Sequence, residues 1–254
     1  IYVTQGESIQ AAIDCALQGM TISVAAGTYP STEVIDPKGK ALTIRGAIDP
    51  DSGAPTTELT GDCSDYDHGD GSDWVCRRLQ CVNGEGEDTV FENLLIYGGR
   101  HSGEGAGMLN RNSSPTLKNC WFENNIANTG GGMYNENSSP TLENCTFKDN
   151  NANGFRSPGD GYGGGMYSDG SSSVTLVNCT FHNNYAYLAG GGIYNRGGAE
   201  LQSCTFLANK SNNVEAGGGD GGGMFTDSNR SVTLVNCWFE HNVVDYDGGA
   251  LYNN

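Results

Sequence analysis

The sequence lacks most of what a membrane, nucleic-acid-binding or helical protein needs. It has 13 Lys and Arg against 30 Asp and Glu, and its net charge of −17 disfavours contact with phosphate backbones or anionic membranes. No apolar run is long enough for a membrane span. Proline is scarce, with 7 residues, and no Pro- or Ser-rich linker divides the chain. The length and the absence of a linker predict one domain over residues 1–254.

Glycine is abundant, with 39 residues, and most of it falls in a repeated pattern. The segment "GGGMYNENSSPTLENCTFKDNNAN" at 130–153 returns as "GGGMYSDGSSSVTLVNCTFHNNYA" at 163–186. Regular repeats extend over 89–254, and the last one, from Gly248, is incomplete. Length varies mainly after the Asn-Cys-Thr-Phe phrase, as expected of stacked repeats with insertions on one face.

Within a repeat, short alternating segments predict strands of a few residues separated by Gly, Asn and Ser bends. When repeats stack, equivalent residues form columns. The expected core columns are Leu117, Leu142, Leu176, Leu201 and Leu234, and Phe122, Phe147, Phe181, Phe206 and Phe239. Asn columns are expected at the corners, where Asn tolerates left-handed bends: Asn119, Asn144, Asn178 and Asn236, and Asn125, Asn150, Asn184, Asn209 and Asn242. An exposed Tyr column is expected at Tyr134, Tyr167, Tyr194 and Tyr252.

Five cysteines form a further column, in the slot that Leu94 fills one repeat earlier: Cys120, Cys145, Cys179, Cys204 and Cys237. A slot that accepts either Cys or Leu is typical of core packing. Metal binding is the alternative, but no His or carboxylate is expected to converge on these thiols.

The first 48 residues predict a cap for the stack. "SIQAAIDCALQG" has the apolar spacing of a short helix, with Ile9, Ala12, Ile13, Ala16 and Leu17 on one face. Such a helix would cover the open edge of the first coil.

Four segments together, "IQAAIDCALQGMTISVAAGTY", "KALTIRG", "TVFENLLIYGG" and "GGGMYNENSSPTLENCTFKDN", resemble the right-handed parallel β-helix superfamily. The likeness is closest to extracellular repeat proteins of environmental bacteria with Gly-rich and Asn-Cys-Thr-Phe repeats, and weaker to chlamydial polymorphic membrane proteins. The resemblance implies an all-β solenoid with three short strands per coil and an extracellular or cell-surface location. It does not imply one function, since the same fold serves polysaccharide lyases, adhesins and stalks.

An acidic insertion at 62–77 interrupts the early coils. Cys63 and Cys76 bracket it, which predicts a disulfide and an oxidising compartment; a Cys63–Cys81 bridge is the alternative. Otherwise Cys81, like Cys15, is expected in the interior. The carboxylates of Asp65, Asp67, Asp70 and Asp73 suit Ca²⁺, or form a solvated acidic loop.

No clear catalytic constellation emerges from the repeats, and the four histidines are scattered. Arg111, Glu136, Asp169, Arg196 and Asp227 share one column, which predicts a surface charge ladder. The catalytic alternative uses Arg196 as a base beside Asp169 and Asp227.

The corner insertions offer a binding edge, since they all follow the same strand. Its candidate residues combine aromatic rings and carboxylates, which suit a glycan or a protein, or else Tyr side chains packed over a loop. They are Asp160, Tyr162, Tyr185, Tyr187, Asp220, Tyr246 and Asp247.

The sequence therefore favours a non-catalytic extracellular structural or adhesive protein. It would act as part of a larger surface protein or assemble head-to-tail into a filament. The alternatives are a polysaccharide lyase or glycoside hydrolase acting on a sheet groove, and a carbohydrate-binding module.

Overall fold

The computed structural model describes residues 1–30, 33–61, 75–154, 160–212, 220–227, 230–244 and 247–253. Their strands stack coil upon coil in four sheets, named here the Tyr, Leu, Phe and short sheets in the order in which a regular coil visits them. Every strand pairs in parallel with its neighbours, except that the strand at 75–76 pairs antiparallel with the next strand of its sheet. The chain is a right-handed parallel β-helix, the hand expected when parallel strands are joined by crossovers.

The Tyr sheet and the Leu sheet form two sides of the coil. The Tyr sheet contains β7 (Leu79–Cys81), β11 (Met108–Arg111), β15 (Met133–Glu136), β19 (Met166–Ser168), β23 (Ile193–Asn195), β27 (Met224–Thr226) and β31 (Leu251–Asn253). The Leu sheet contains β1 (Tyr2–Val3), β2 (Thr21–Val24), β4 (Thr43–Arg45), β8 (Val90–Glu92), β12 (Thr116–Lys118), β16 (Thr141–Glu143), β20 (Ser173–Val177), β24 (Gly198–Gln202) and β28 (Val232–Val235).

The remaining strands close the coil. The Phe sheet contains β3 (Gly27–Pro30), β5 (Thr57–Thr60), β9 (Leu94–Tyr97), β13 (Trp121–Glu123), β17 (Thr146–Lys148), β21 (Thr180–His182), β25 (Thr205–Leu207) and β29 (Trp238–Glu240). The short sheet contains β6 (Val75–Cys76), β10 (Arg100–Glu104), β14 (Ile126–Thr129), β18 (Asn151–Ala152), β22 (Tyr185–Ala186), β26 (Lys210–Ser211) and β30 (Val243–Val244).

The short sheet is the main addition to the expected coil of three strands. After the corner at Asp149 and Asn150, the two-residue segment Asn151–Ala152 still pairs in register with the coils on either side. Ala152 points inward and is fully buried, so this fourth side contributes to the core.

Corners between sheets are built by residues in the left-handed region. Asn119, Asn144, Asn178 and Asn236 turn the chain between the Leu and Phe sheets with φ of 49° to 55°, and Ser203 does so with φ 55°. Asn relieves the cost of this conformation by hydrogen bonding locally. The exposed Asn178 amide, for example, donates to Asn144 Oδ1 at 2.7 Å.

The interior is the set of columns that the repeats predicted. Its Leu, Phe and Met side chains are buried, except that Leu234 and Phe239 of a late coil are partly exposed, and the Phe rings stack with centroids 4.5 to 5.0 Å apart. Cys120, Cys145, Cys179 and Cys204 are buried free thiols. Each of these thiols donates a hydrogen bond to nearby carbonyl oxygens, as Cys145 Sγ does to Leu117 O at 3.7 Å.

The helix α1 (Ile9–Cys15) covers the first coil. Ser8 caps it by accepting a hydrogen bond from the amide of Ala11, while Ile9 and Ile13 are buried. The expectation that Leu17 packs on the same face is wrong, because the helix ends before it and the side chain is 68% exposed. Cys15 is also exposed rather than interior, since it lies on the side of α1 that faces away from the core.

Candidate functional site

The outer face of the Tyr sheet carries a continuous aromatic column. Alternation in each strand turns residues such as Met133 and Asn135 inward and Tyr134 outward. Successive ring centroids are 4.7 Å apart for Tyr134–Tyr167, 5.5 Å for Tyr167–Tyr194 and 4.5 Å for Tyr194–Phe225. A further 5.5 Å separates Phe225 from Tyr252.

This column is less accessible than an exposed Tyr column would be. Tyr167 is only 9% exposed and Phe225 only 7%. Because neighbouring rings are nearly parallel, each inner ring has both faces covered, and only ring edges and hydroxyl groups can meet a ligand. Burial raises the pKa of Tyr134 and Tyr194, so these hydroxyls stay neutral at physiological pH.

The charged column beside the aromatic column is only partly a ladder. Arg111 Nε lies 2.5 Å from Glu136 Oε2. Asp169, one coil further on, holds a turn instead: its Oδ1 accepts hydrogen bonds from the amide of Asn137 at 3.2 Å and from Ser172 Oγ at 2.6 Å.

The catalytic alternative built on Arg196 is not assembled as a proton-transfer site. The Tyr167 side chain acts on the Arg196 guanidinium and raises the pKa of Arg196 above its already high ordinary value. A base must give up its proton near neutral pH, so the shift is in the wrong direction for that role.

Other outward columns also pair charges from coil to coil. Arg45 Nε lies 2.7 Å from Glu92 on the Leu sheet. On the Phe sheet, Lys148 Nζ lies 2.6 Å from Glu123, and this bond raises the pKa of Lys148. Each such pair joins two successive coils.

The described residues of the predicted binding edge form two groups, and Tyr185 lies on a different sheet from either group. Around Gly161 lie Tyr162, whose ring rests on Tyr194 with centroids 4.4 Å apart, and Tyr187, whose Cβ closely faces the Gly161 α-carbon. Asp160 directly precedes Gly161, and its charge raises the pKa of Tyr162 after the larger effect of burial.

Asp220 and Asp247 form the second group, one coil apart at the Gly corners. The amide of Gly190 donates to Asp220 O at 3.0 Å, and that of Gly221 donates to Asp247 O at 3.3 Å. Burial and the neighbouring Asp247 raise the pKa of Asp220. Tyr185 stands apart on the short sheet, between Asn151 and Lys210, and Tyr246 lies outside the described residues.

A polar cluster that the sequence analysis missed lies at the first coil of the Tyr sheet. Arg77 Nε donates to Gly105 O at 2.8 Å, and its Nη2 donates to Glu104 O at 2.7 Å. The same Nη2 lies 3.3 Å from His101 Nε2. Burial lowers the pKa of Arg77 to about 10, and the charge of Glu104 acts against that fall.

The neighbouring Arg78 is a structural residue. It is 3% exposed, and its guanidinium donates to the backbone carbonyls of Gly61, Tyr97 and Gly98. The signal for both arginines lay in the repeat alignment. Because Leu79 pairs with Met108, Arg77 and Arg78 occupy positions at which the next coil has Ala106 and Gly107.

The insertion's candidate sites lie mostly outside the described residues. Asp65, Asp67, Asp70 and Asp73 are outside them, and so is Cys63; calcium binding and the Cys63–Cys76 disulfide therefore stay predictions. Cys81 is a buried free thiol, so the alternative Cys63–Cys81 bridge is wrong. Within the described ranges, no group of three or more His, Cys, Asp or Glu side chains is placed to hold a metal ion.

The family match and one solved structure agree with the fold. The family described as "Right handed beta helix region" matches residues 159–254. The crystal structure of Escherichia coli YbhC is similar, with a TM-score of 0.51 and 14% identity over 91% of this chain and 71% of that chain. That of alginate lyase from Paenibacillus sp. str. FPU-7 has a TM-score of 0.44 and 10% identity over 100% of this chain and 98% of that chain. No curated protein matches the chain.

In the described part of the chain, no helix is long and apolar enough to cross a membrane.

Proposed function

We propose that this chain is a non-catalytic extracellular structural or adhesive β-helix protein. The proposal is based on the observation that the outward-facing side chains mostly interact with one another. Charged groups pair between coils, as in Arg45–Glu92 and Lys148–Glu123, and the rings of the aromatic column cover one another. Groups committed in this way stiffen a rod and leave recognition to its corner loops.

The adhesive surface is the corner edge, and its ligand is a glycan. Tyr162 and Tyr187 are partly exposed beside Gly161, and the charge of Asp160 acts on Tyr162; aromatic rings and carboxylates suit sugar rings and hydroxyls. This edge follows the strands of the short sheet, where the repeats also tolerate length changes.

Binding of the purified protein to a glycan array tests the proposal. We expect binding to a subset of glycans that is weakened by Tyr187→Ala, and the same affinity in Thr141→Ala, a control on the Leu sheet. The proposal fails if no glycan binds, or if Thr141→Ala weakens binding as much as Tyr187→Ala does.

A polysaccharide lyase or glycoside hydrolase is the second candidate. It is favoured by the cluster at the first coil, where the Arg77 guanidinium lies 3.3 Å from the His101 imidazole. The charge of Glu104 acts to raise the pKa of three neighbouring groups, Arg77, Arg111 and Tyr134. Uronate and neutral polysaccharides, with and without Ca²⁺, would be assayed for turnover. Turnover that is lost in Arg77→Gln and kept in Arg45→Gln would replace the adhesive proposal with this one.

A further inference from the structure

The inner face of the Tyr sheet carries a column of polar side chains. This inner polar column consists of Asn110, Asn135, Ser168, Asn195 and Thr226, one from each of five successive strands. All five residues are at most 4% exposed. Polar groups buried to this extent need hydrogen-bond partners, because an unpartnered group has lost its hydration without any compensating bond.

The first part of the column is joined by direct hydrogen bonds between coils. Asn110 Nδ2 donates to Asn135 Oδ1 at 2.9 Å, and Asn135 Nδ2 donates to Ser168 Oγ at 3.3 Å. An amide can form such a ladder because its donor and its acceptor are separate atoms, which together span the distance of about 4.8 Å between neighbouring strands. A Ser or Thr hydroxyl has donor and acceptor on one oxygen, so a ladder that reaches a hydroxyl cannot continue in the same way.

The ladder is interrupted between Asn195 and Thr226. Asn195 Nδ2 is turned to the backbone, where it donates to Gly197 O at 2.7 Å. Asn195 Oδ1 and Thr226 Oγ1 are both buried and have no hydrogen-bond partner among the described residues. The two residues are paired in register on neighbouring strands, and both side chains are on the inner face. Two unpartnered oxygen atoms therefore occupy successive positions of one buried column.

We propose that one water molecule binds between Asn195 and Thr226 and bridges the coils of β23 and β27. Two hydrogen bonds of about 2.8 Å at the tetrahedral angle of a water place the bonded atoms about 4.5 Å apart, close to the distance between parallel strands. The water donates to Asn195 Oδ1 and accepts the hydrogen of the Thr226 hydroxyl. Buried waters with two to four polar partners are a regular part of protein cores.

A second unpartnered oxygen shows why the site is confined to this pair. Asn110 Oδ1 is also buried without a partner among the described residues, but the residue paired with Asn110 on the preceding strand is Cys81. A thiol is a weak donor and a weak acceptor, so it holds a water less well than a hydroxyl does. The site at Asn195 and Thr226 is independent of the proposed glycan adhesion, because both residues are buried.

The sign of one stability change tests the proposal. Thr226→Val replaces the hydroxyl by a methyl group of similar size. If the hydroxyl binds the water, the water and Asn195 lose a partner, and we expect Tm to fall by about 3 °C. If the hydroxyl is truly unpartnered, the same change removes a desolvated polar group, and Tm should stay the same or rise; either result would overturn the proposal.

Thr89→Val calibrates this measurement, because the fully buried Thr89 hydroxyl donates directly to Lys40 O at 3.2 Å. Losing that bond should lower Tm by a similar amount. A scanning calorimeter measures wild type and both variants under one set of conditions.

A crystal structure of the wild-type protein locates the ligand directly, and it decides the question if Thr226→Val does not fold. We expect one density peak within about 3 Å of both Asn195 Oδ1 and Thr226 Oγ1. The peak should be lost in Thr226→Val and kept in Thr89→Val. Absence of the peak from the wild type would refute the site whatever the Tm shows. A peak with five or more oxygen neighbours, or a Tm that depends on which monovalent cation is present, would mean that an ion binds there instead of water.

Discussion

At the scale of single residues, the buried asparagines are the most constrained side chains of the stack. Asn150 Oδ1 accepts from both the backbone and the side-chain amide of Asn125, at 3.1 and 2.9 Å. Its Nδ2 donates to Phe122 O and to Asn184 Oδ1. A buried amide with all of these partners fixes the position of one coil relative to the next.

Replacing Asn150 by Ala should therefore destabilise the protein by about 3 kcal/mol, because several buried groups lose their partners at once. Asn137 provides a control, since it donates to Asn112 Oδ1 at the exposed Tyr–Leu corner with φ 48°. Asn137→Gly keeps the left-handed bend and should cost less than about 1 kcal/mol. Urea unfolding measures both; equal losses would mean that the buried column does not fix the stacking.

Asp220 gives a prediction that depends on pH. Its pKa is raised by burial and by Asp247, so its ionised form is disfavoured in the folded state. The folded state favours the protonated Asp220 carboxyl, which is present at low pH. As pH rises through the pKa of the folded state the carboxyl loses its proton, and the protein loses stability. Asp220→Asn should therefore raise Tm at about pH 7 and leave it unchanged near pH 3, where carboxyl groups are mostly protonated.

The exposed Asp88 supplies the control for that measurement, since Asp88→Asn should not alter Tm at either pH. Differential scanning calorimetry at both pH values separates the cases. A Tm that rises equally at pH 7 and pH 3 in Asp220→Asn would show that charge is not the cause.

At the scale of elements, the Gly corners allow the short sheet to turn into the Tyr sheet. A Cβ on Gly165 would lie 2.6 Å from Gly192 O and 2.9 Å from Phe181 Cδ1. The carbonyl cannot move away easily, because Gly192 O accepts the hydrogen bond that the amide of Met166 donates to the next coil at 3.0 Å. The repeated glycines thus meet a steric requirement of close-packed coils.

We expect Gly165→Ala to destabilise the protein by about 3 kcal/mol, through overpacking against a fixed backbone. Gly86→Ala is the matched control: no atom lies within 4 Å of its added Cβ, and we expect a change below about 1 kcal/mol. Thermal unfolding of the two variants tests this, and similar melting temperatures would contradict the steric explanation.

The elements differ in how well the sequence predicts them. Leu142, Cys145 and Phe147 alternate with polar residues, so their columns could be predicted from the repeats alone, and all three are fully buried. The pair Asn151–Ala152 is too short to carry a pattern, and its strand exists only because the neighbouring coils hold it in register.

The candidate sites were harder to predict than the core. The Arg77 cluster depends on the carbonyls of Glu104 and Gly105, 27 and 28 residues away, and the coil register that joins them lies in the least regular part of the stack. The accessibility of the Tyr column was also misjudged, because alternation shows that Tyr167 points outward but not that neighbouring rings cover its faces.

At the scale of the whole molecule, the exposure of the free thiols shows which parts of the stack solvent reaches. Cys15 is exposed and Cys237 is partly exposed, whereas the other free cysteines are buried. Burial raises the pKa of Cys81 and Cys145, which removes the reactive thiolate.

Among the free cysteines that the structure describes, we therefore expect only Cys15 and Cys237 to react quickly with an aromatic disulfide reagent in the folded protein, as measured by peptide mass spectrometry. The remaining free thiols should react only on unfolding. Fast modification of Cys145 in the folded state would mean that the coils open far more readily than the packed core implies.

Association between molecules is a second property at this scale. The filament expectation required the first coil to pair with the last coil of another molecule. However, α1 is fixed over the first coil, where Lys40 Nζ donates to Ile13 O at 2.7 Å and Gln10 Nε2 donates to Asp36 O at 3.0 Å. This cover hides part of the edge that would template another chain.

Sedimentation velocity and negative-stain microscopy should accordingly find single short rods, with EDTA and without it. Filaments that lengthen in multiples of one subunit would contradict this and restore head-to-tail assembly. Their loss in EDTA would assign calcium a role in the contact.

The parallel register between coils has a mechanical consequence. Each strand bonds to the strand one coil away, so the inter-coil hydrogen bonds point along the rod. A tensile force applied to the two chain ends loads the outermost coil alone, and the bonds fail coil by coil rather than all together. The force–extension curve of the molecule should show a series of small unfolding steps at modest force. A binding contact made through the side of a coil would stay folded until unfolding reaches that coil.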